Sequence, residues 1–328
     1  MRERIERIWY DGLAAPLWLR ALVPLYRVLR ALHLAPYRLG WRKAARLPVP
    51  VLVVGNLTAG GSGKTPLAIA LVEALRAHGF RPGIVSRGYG GTQREPRLLD
   101  ERATPAQVGD EPCLMRRRTG VAVAVGRDRP HAAALLVGQG VDVVIADDGL
   151  QNPALARDVE IVVIDGRRRF GNGRLLPAGP LREPLARLGT VAFRVCNGGA
   201  AQAGEVPMRL DGDLAVPLRG GEAQPLAAFA GQRVHAVAAI GNPDRFFASL
   251  RARGIEVVPH AFADHHAFTA ADLAFGDEMP VLMTEKDAIK CEAFAAANWW
   301  CVPVRAELPA AFLDAVAARL REVAGRTA

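Results

Sequence analysis

The sequence predicts an α/β fold built on a mainly parallel sheet, and three observations carry that reading. Runs rich in Val and Ile recur at Val49–Val54, Gly83–Ser86, Val121–Val125, Val141–Ala146, Val159–Ile164 and Val191–Val195. They lack the polar alternation of a half-exposed strand, which marks strands covered on both faces. Segments with helical spacing separate them, as parallel crossovers require. The first run leads through a glycine-rich turn into a helix from Lys64 to about His78, the strand–turn–helix order of a phosphate-binding loop.

Taken in chain order, residues 1–40 form a helical region. Trp18, Leu22, Leu25, Leu29 and Leu32 recur at spacings of three and four on one face, with Arg20, Arg27 and Arg30 roughly opposite. The apolar runs fall short of the ~20 residues that span a bilayer. The pattern suits an interfacial amphipathic helix, or equally a helix that packs its Leu face on the main unit. Pro16 and Pro24 are expected to break or kink it. Residues 41–205 form the main sheet unit. Two short strands, Val206–Leu210 and Ala215–Leu218, make a linker over 206–232. A smaller α/β unit, 233–328, has strands at Val234–Ile240, Ile255–Val258, Val281–Thr284 and Trp300–Val304 and closes with a helix at Pro309–Val323.

Composition narrows the partners. The 328 residues carry a net charge of +9, which favours polyanions: nucleic acid, anionic lipid or phosphorylated substrates. Aromatics at 6% and the lack of a recognition module argue against nucleic acid. The four cysteines show neither Cys-x-x-Cys nor zinc spacing, so a reduced, cytoplasmic chain is expected. Arg2 to Arg7 is too charged for a cleavable signal peptide.

The run Gly55-Asn56-Leu57-Thr58-Ala59-Gly60-Gly61-Ser62-Gly63-Lys64-Thr65 carries the chemistry. Glycines let successive N–H groups curl around phosphate oxygens, and the helix N-terminus adds its positive end. Thr58, Ala59, Gly60, Gly61, Ser62, Gly63, Lys64 and Thr65 are thus the expected ATP-binding residues, Lys64 reaching the β and γ phosphates and Thr65 a Mg²⁺ ion. Thr58 stands where the usual pattern has glycine. Pro66, in place of a third glycine, excludes the dinucleotide motif. At the end of Val141–Ala146, Asp147 and Asp148 are placed to hold Mg²⁺, or alternatively to cap the turn Gly149–Asn152. These features define a P-loop NTPase-like unit. They leave open a kinase, a soluble-metabolite kinase and a membrane-associated switch ATPase.

Further motifs choose among these. The P-loop variant without its first glycine, through Pro66, is followed by Ser86-Arg87-Gly88-Tyr89-Gly90, Val108-Gly109-Asp110-Glu111-Pro112 and Asp147-Asp148-Gly149-Leu150-Gln151. Then come Arg168-Arg169-Phe170-Gly171-Asn172-Gly173, Leu176 to Glu183, Ile240-Gly241-Asn242-Pro243, Asp264-His265-His266 and Thr284-Glu285-Lys286-Asp287. In this order, over residues 1 to 325, the chain resembles the tetraacyldisaccharide 4'-kinase family.

The resemblance implies transfer of the ATP γ-phosphoryl to the 4'-hydroxyl of a tetraacyldisaccharide 1-phosphate, a lipid A precursor. It also implies attachment at the cytoplasmic face of the inner membrane, without an obligate protein partner. It points to Asp110 as base with His265 as its partner, although Asp110 also suits a helix N-cap before Glu111-Pro112. Glu183 becomes a further acid near the metal, or else a surface ion pair of Arg182-Glu183-Pro184. Arg87 and Asn172 become substrate-binding residues. Arg127, Arg129, Arg168 and Arg169 are further phosphate candidates, since planar bidentate donors suit phosphate. The run Arg116-Arg117-Arg118 is expected to face anionic lipid or substrate. His265 lies in the second unit, so its use requires the two units to close over the substrate.

Overall fold

The structure, a computed structural model, describes residues 2–327. Two helices, α1 (Arg2–Tyr10) and α2 (Leu17–Arg38), precede β1 (Val51–Gly55), α3 (Lys64–Ala77), β2 (Pro82–Ser86), β3 (Arg97–Leu98), α4 (Pro105–Val108) and α5 (Asp110–Thr119). Next come β4 (Val123–Val125), α6 (Arg129–Val137), β5 (Val143–Asp147), β6 (Val159–Asp165), β7 (Phe193–Asn197) and β8 (Val206–Asp211). These strands, with β15 (Arg305–Glu307), form a nine-stranded sheet in the order β15-β8-β7-β6-β1-β5-β2-β4-β3. From β8 to β4 every neighbouring pair is parallel, and only the edges β3 and β15 run antiparallel.

The period of two along the buried strands divides their side chains between two layers. Leu52 and Val54 of β1, Val143 and Ile145 of β5, and Ile161 and Val163 of β6 join α3 and α5 in one core. Val51, Val53, Val144, Ala146, Val162 and Ile164 pack on the other side with α6 and the inner face of α2. Each fully buried Val or Leu contributes roughly 1.5–3 kcal/mol, which is why both faces must be covered.

The second sheet takes β9 (Leu214–Pro217), β10 (Gln224–Pro225), β11 (Arg233–Ala238), β12 (Glu256–Ala261), β13 (Val281–Thr284) and β14 (Trp299–Val302), in the order β10-β9-β14-β13-β11-β12. Helix α7 (Pro243–Arg251) covers one face through Phe246, Phe247 and Leu250. Helix α8 (Glu285–Cys291) covers the other through Ala288 and Cys291. The strands read from sequence as a linker are therefore divided, β8 in the large sheet and β9 in the small one. After β14 the chain returns: β15 (Arg305–Glu307) pairs with β8, and Phe312, Val316 and Leu320 of α9 (Ala310–Thr327) enter the first core.

Helix α2 differs from expectation in two ways. Pro16 precedes its first turn, but Pro24 and Pro36 sit inside an unbroken helix. Tertiary contacts offset the lost backbone bonds: Leu19 is buried, Val23 and Tyr26 pack on the core, and the Tyr26 hydroxyl donates to the Arg182 carbonyl at 2.9 Å. The Leu face does not pack on the main unit. Trp18, Leu25, Leu29 and Leu32 are all more than half exposed. Arg30, expected on the polar side, turns inward to Glu183 at 2.8 Å. No helix among the described residues is long and apolar enough to cross a membrane.

Candidate active site

The parallel strands end on the same edge, and the chemistry gathers there, as in open α/β sheets generally. Ser86 ends β2, Asp147 ends β5, Asp165 ends β6 and Asn197 ends β7 around the loop that leaves β1. A cavity of about 1030 Å³ opens over this edge and is closed on its far side by the second unit.

Gly63 takes φ 95°, a left-handed conformation open to glycine, and sets Lys64 and Thr65 at the first turn of α3. A Cβ at Gly63 would meet the Asn197 amide at 2.2 Å. That amide holds the loop by donating to the Ser62 carbonyl at 2.8 Å. Gly60 to Thr65 line the cavity. Thr58 and Ala59 do not: Thr58 bridges to Leu181, and the Ala59 N–H donates to the Pro180 carbonyl at 2.7 Å. The Ala59 donor is thus already used, and the part of the loop that faces the cavity is its second half. The Ser62 hydroxyl is buried and has no partner among the described residues.

Lys64 is buried with its Nζ 3.4 Å from Asn56 Oδ1 and 3.8 Å from Asp148 Oδ1. The two neighbouring aspartates differ in charge environment. Burial works to raise the Asp148 pKa, but Lys64 and Arg182 outweigh it and hold it below the usual carboxylate value. Asp148 reaches both through a strained backbone with φ 47°. At Asp147 Lys64 and Arg129 pull the same way but are outweighed. Burial, with Glu111 and Asp148 adding to it, pushes its pKa well above the carboxylate range. Ser86 donates to its Oδ2 at 3.2 Å, and its Oδ1 is unpartnered among the described residues. A buried, half-satisfied carboxylate beside a phosphate loop fits a hard cation. Among the described residues no three His, Cys, Asp or Glu side chains converge on one point. Magnesium needs only one or two carboxylates, with phosphate and water oxygens completing its shell.

Asp110 opens α5, with Gly109 at the cap position, so its side chain is not the cap. Its Oδ2 lies 3.1 Å from His265 Nδ1 and 3.7 Å from Lys290 Nζ. Burial alone would raise its pKa, yet the His265 hydrogen bond and the charges of Lys290 and Lys286 bring it below the usual value. His265 adopts φ 62° and lines the cavity, while Asp110 stands behind it. Lys286 Nζ lies 3.4 Å from His265 Nε2, 3.2 Å from Asp264 and 3.4 Å from Glu111. The edge of the Tyr89 ring meets the imidazole at 5.0 Å between centroids.

Other expected residues sort clearly. Arg87, Arg127 and Arg129 line the cavity; Arg129 also donates to the Asp147 carbonyl at 2.9 Å. Arg169 is committed to Glu205 at 2.6 Å, and Arg168 lies 3.9 Å from Glu6. Glu183 does not line the cavity. Its carboxylate accepts from Arg30 and from Gln151, both at 2.8 Å. Asn172 lies outside too, its amide donating to the Ile8 and Ala178 carbonyls at 3.1 and 2.8 Å. The basic run of α5 faces protein, not lipid: Arg118 pairs with Glu285 at 2.7 Å and Arg117 with Glu292.

Sequence reasoning assigned no role to Asn197, Arg182, Gln151, Arg245 or Lys286, all of which line the cavity. Asn197 carried a usable signal, a lone amide ending a buried strand. Arg245 carried none, since its place depends on how the second unit docks; it donates to Asn197 Oδ1 at 2.8 Å.

The family model described as tetraacyldisaccharide-1-P 4'-kinase matches residues 15–321. A tetraacyldisaccharide 4'-kinase of Stenotrophomonas maltophilia is 58% identical over 322 residues, covering 95% of each chain. One of Xanthomonas euvesicatoria is 55% identical over 336 residues, covering 98% of this chain and 97% of its own. Among solved structures, LpxK from Aquifex aeolicus in complex with ATP superposes with a TM-score of 0.74 at 28% identity, covering 93% of this chain and 98% of that one.

Proposed function

Because the chain belongs to the tetraacyldisaccharide-1-P 4'-kinase family, we propose that the cleft between its two units is where phosphoryl transfer takes place. The protein is an ATP-dependent kinase that phosphorylates the 4'-hydroxyl of a lipid A precursor, a tetraacyldisaccharide 1-phosphate. The observation that carries the assignment of the cleft is the meeting, across one cavity, of a phosphate loop from the first unit with the Asp110–His265 pair, whose histidine comes from the second.

Phosphoryl transfer demands positioning and charge neutralisation more than covalent chemistry. Gly60 to Gly63 cradle the phosphates, Lys64 follows the γ-phosphoryl group, and Arg87 and Arg127 are free to pair with phosphate oxygens. Asp147, with Thr65 and Asp148, would hold a magnesium ion; bound there, it supplies charge neutralisation on the phosphate oxygens. The Asp110–His265 pair takes the proton of the sugar hydroxyl. With Nδ1–H donated to Asp110, the lone pair of His265 lies on Nε2, which Lys286 Nζ approaches at 3.4 Å, and the ionised Asp110 steadies the imidazolium that forms once that ammonium gives way to the sugar hydroxyl. Glu183 acts from behind, fixing Gln151 and α2.

The exposed leucines of α2 support attachment at a membrane surface, where an acylated substrate resides. The need for ATP favours the cytoplasmic side of that surface, hence the inner membrane. The test is transfer of γ-labelled phosphate from Mg²⁺-ATP to the tetraacyldisaccharide 1-phosphate in detergent micelles, with Lys64→Ala as control. Labelled lipid that disappears in the variant is the expected result. ATP hydrolysis without lipid labelling would overturn the assignment.

A further inference from the structure

The nitrogen on which proton transfer depends is already engaged. His265 Nδ1 lies 3.1 Å from Asp110 Oδ2, and Lys286 Nζ stands 3.4 Å from Nε2, the atom that carries the lone pair. Lys286 belongs to the first turn of α8, in the second unit, and lines the catalytic cavity. Burial works against its charge, but Glu111 at 3.4 Å and Asp264 at 3.2 Å outweigh it and hold its pKa above the usual lysine value. An ammonium group can only donate, so it occupies the lone pair that a base needs.

Of these two side chains the lysine is the one free to move. The imidazole is fixed by Asp110 at Nδ1, by the edge of the Tyr89 ring at 5.0 Å and by a backbone at φ 62°. Lys286 has a flexible stem, and on leaving Nε2 it keeps Glu111 and Asp264 as counter-charges. Release therefore costs one long contact and strands no buried charge.

This arrangement bears on the choice of acceptor. The cavity measures about 1030 Å³, far above the ~30 Å³ share of one water, and water can attack the γ-phosphorus as an alcohol does. A water brings no other contacts with which to displace the ammonium. An acylated disaccharide does, because binding energy from its remote parts is available at the reacting centre. We propose that Lys286 determines acceptor specificity, withholding His265 from water and yielding it to the sugar hydroxyl. On yielding, Nε2 takes the hydroxyl proton, the oxygen bonds to the γ-phosphorus, and the bond from that phosphorus to the β–γ bridging oxygen breaks to release ADP. The same exchange with water would give ADP and inorganic phosphate. The inference rests on the reading of the cleft as the site of phosphoryl transfer with His265 as proton acceptor.

The test measures two rates of the full chain with Mg²⁺-ATP: lipid labelling in micelles that contain the tetraacyldisaccharide 1-phosphate, and phosphate release in micelles without it. Lys286→Met keeps the length of the side chain and removes its charge. The ratio of hydrolysis to transfer should rise roughly tenfold, well inside the ~10²–10⁴ that a positioned base contributes, with the KM for ATP unchanged. Lys286→Arg, which keeps a charged donor, should retain most of the suppression, and adding His265→Ala to Lys286→Met should abolish the rise. Should Lys286→Met fail to fold because Glu111 and Asp264 lose their partner, Lys286→Met/Asp264→Asn tests the same point. An unchanged ratio, with both rates lowered together, would overturn the proposal, as would a rise that survives His265→Ala. A raised KM for ATP would make Lys286 a phosphate ligand and overturn it too. Failure of the underlying reading shows separately, as absence of lipid labelling by the unmodified protein.

Discussion

Asp147 and Asp148 are adjacent in sequence yet opposite in electrostatics, and the difference decides what each can do. Asp148 has two cations beside it; Asp147 is buried with an unpartnered oxygen. An acid whose folded pKa lies above its unfolded value costs stability as pH rises from the unfolded value through the folded one. Asp147→Asn should therefore raise the melting temperature of the metal-free protein at neutral pH by a few degrees, and the gain should vanish near pH 4, a window set by the unfolded carboxylate. The same variant should lose kinase activity. For Asp110 the sign reverses: its lowered pKa contributes stability above the unfolded value that is lost as pH falls through the folded one. Asp110→Asn and His265→Ala should each lower kcat by roughly 10²–10⁴ with KM little changed, and the double variant should be no worse than the poorer single one. Steady-state kinetics in micelles would show whether the two act as a unit.

At the scale of elements, the buried strands were the most legible part of the chain. Val281–Thr284 is found with the expected bounds, and the others shift by a few residues because ends depend on ladder partners. What sequence could not supply was which face of α2 would find a neighbour. Both faces have helical spacing, and only the sheet's second layer makes Leu19, Val23 and Tyr26 the inner one. Glu183 and Asn172 were misplaced for the same reason: polar residues in motif-rich loops can serve a cavity or fasten a helix, and here both fasten the N-terminal helices. Replacing Leu25 and Leu29 by Ser should weaken vesicle binding by roughly tenfold per leucine while leaving the melting temperature unchanged, since neither side chain contributes to the core. A lowered melting temperature would mean that this face has a protein partner.

The whole molecule depends on how its two units meet. Gly241 of the second unit sits so close to the phosphate loop that a Cβ there would reach the Gly61 nitrogen at 2.7 Å. Beside the Asp110–His265 pair, Arg118 and Glu285 join α5 to α8 with side chains only 19% and 15% exposed. Arg118→Ala should slow turnover by releasing the tie that holds the units together, and the exchange Arg118→Glu/Glu285→Arg should recover part of the loss. A coupling of about 1 kcal/mol in a double-mutant cycle would identify the pair as a latch. The motifs foretold that the two units would meet around Asp110 and His265, but not the Gly241–Gly61 and Arg118–Glu285 contacts, because contacts between residues more than a hundred positions apart leave no local pattern.

The return of the chain after β14 has a consequence for engineering. Asp211 of β8 and Arg305 of β15 stand directly opposite each other, so everything between them is, in topological terms, cargo carried on the tip of an edge hairpin. Replacing residues 212–304 by a two-residue Asn-Gly turn should yield a miniature that still folds and captures nucleotide but transfers nothing. Cutting the chain at the end of β14 should instead be ruinous, because the last helix belongs to the first core. The half that supplies His265 would thus be an excisable attachment, while the C-terminal helix is a structural member of the half that carries the phosphate loop.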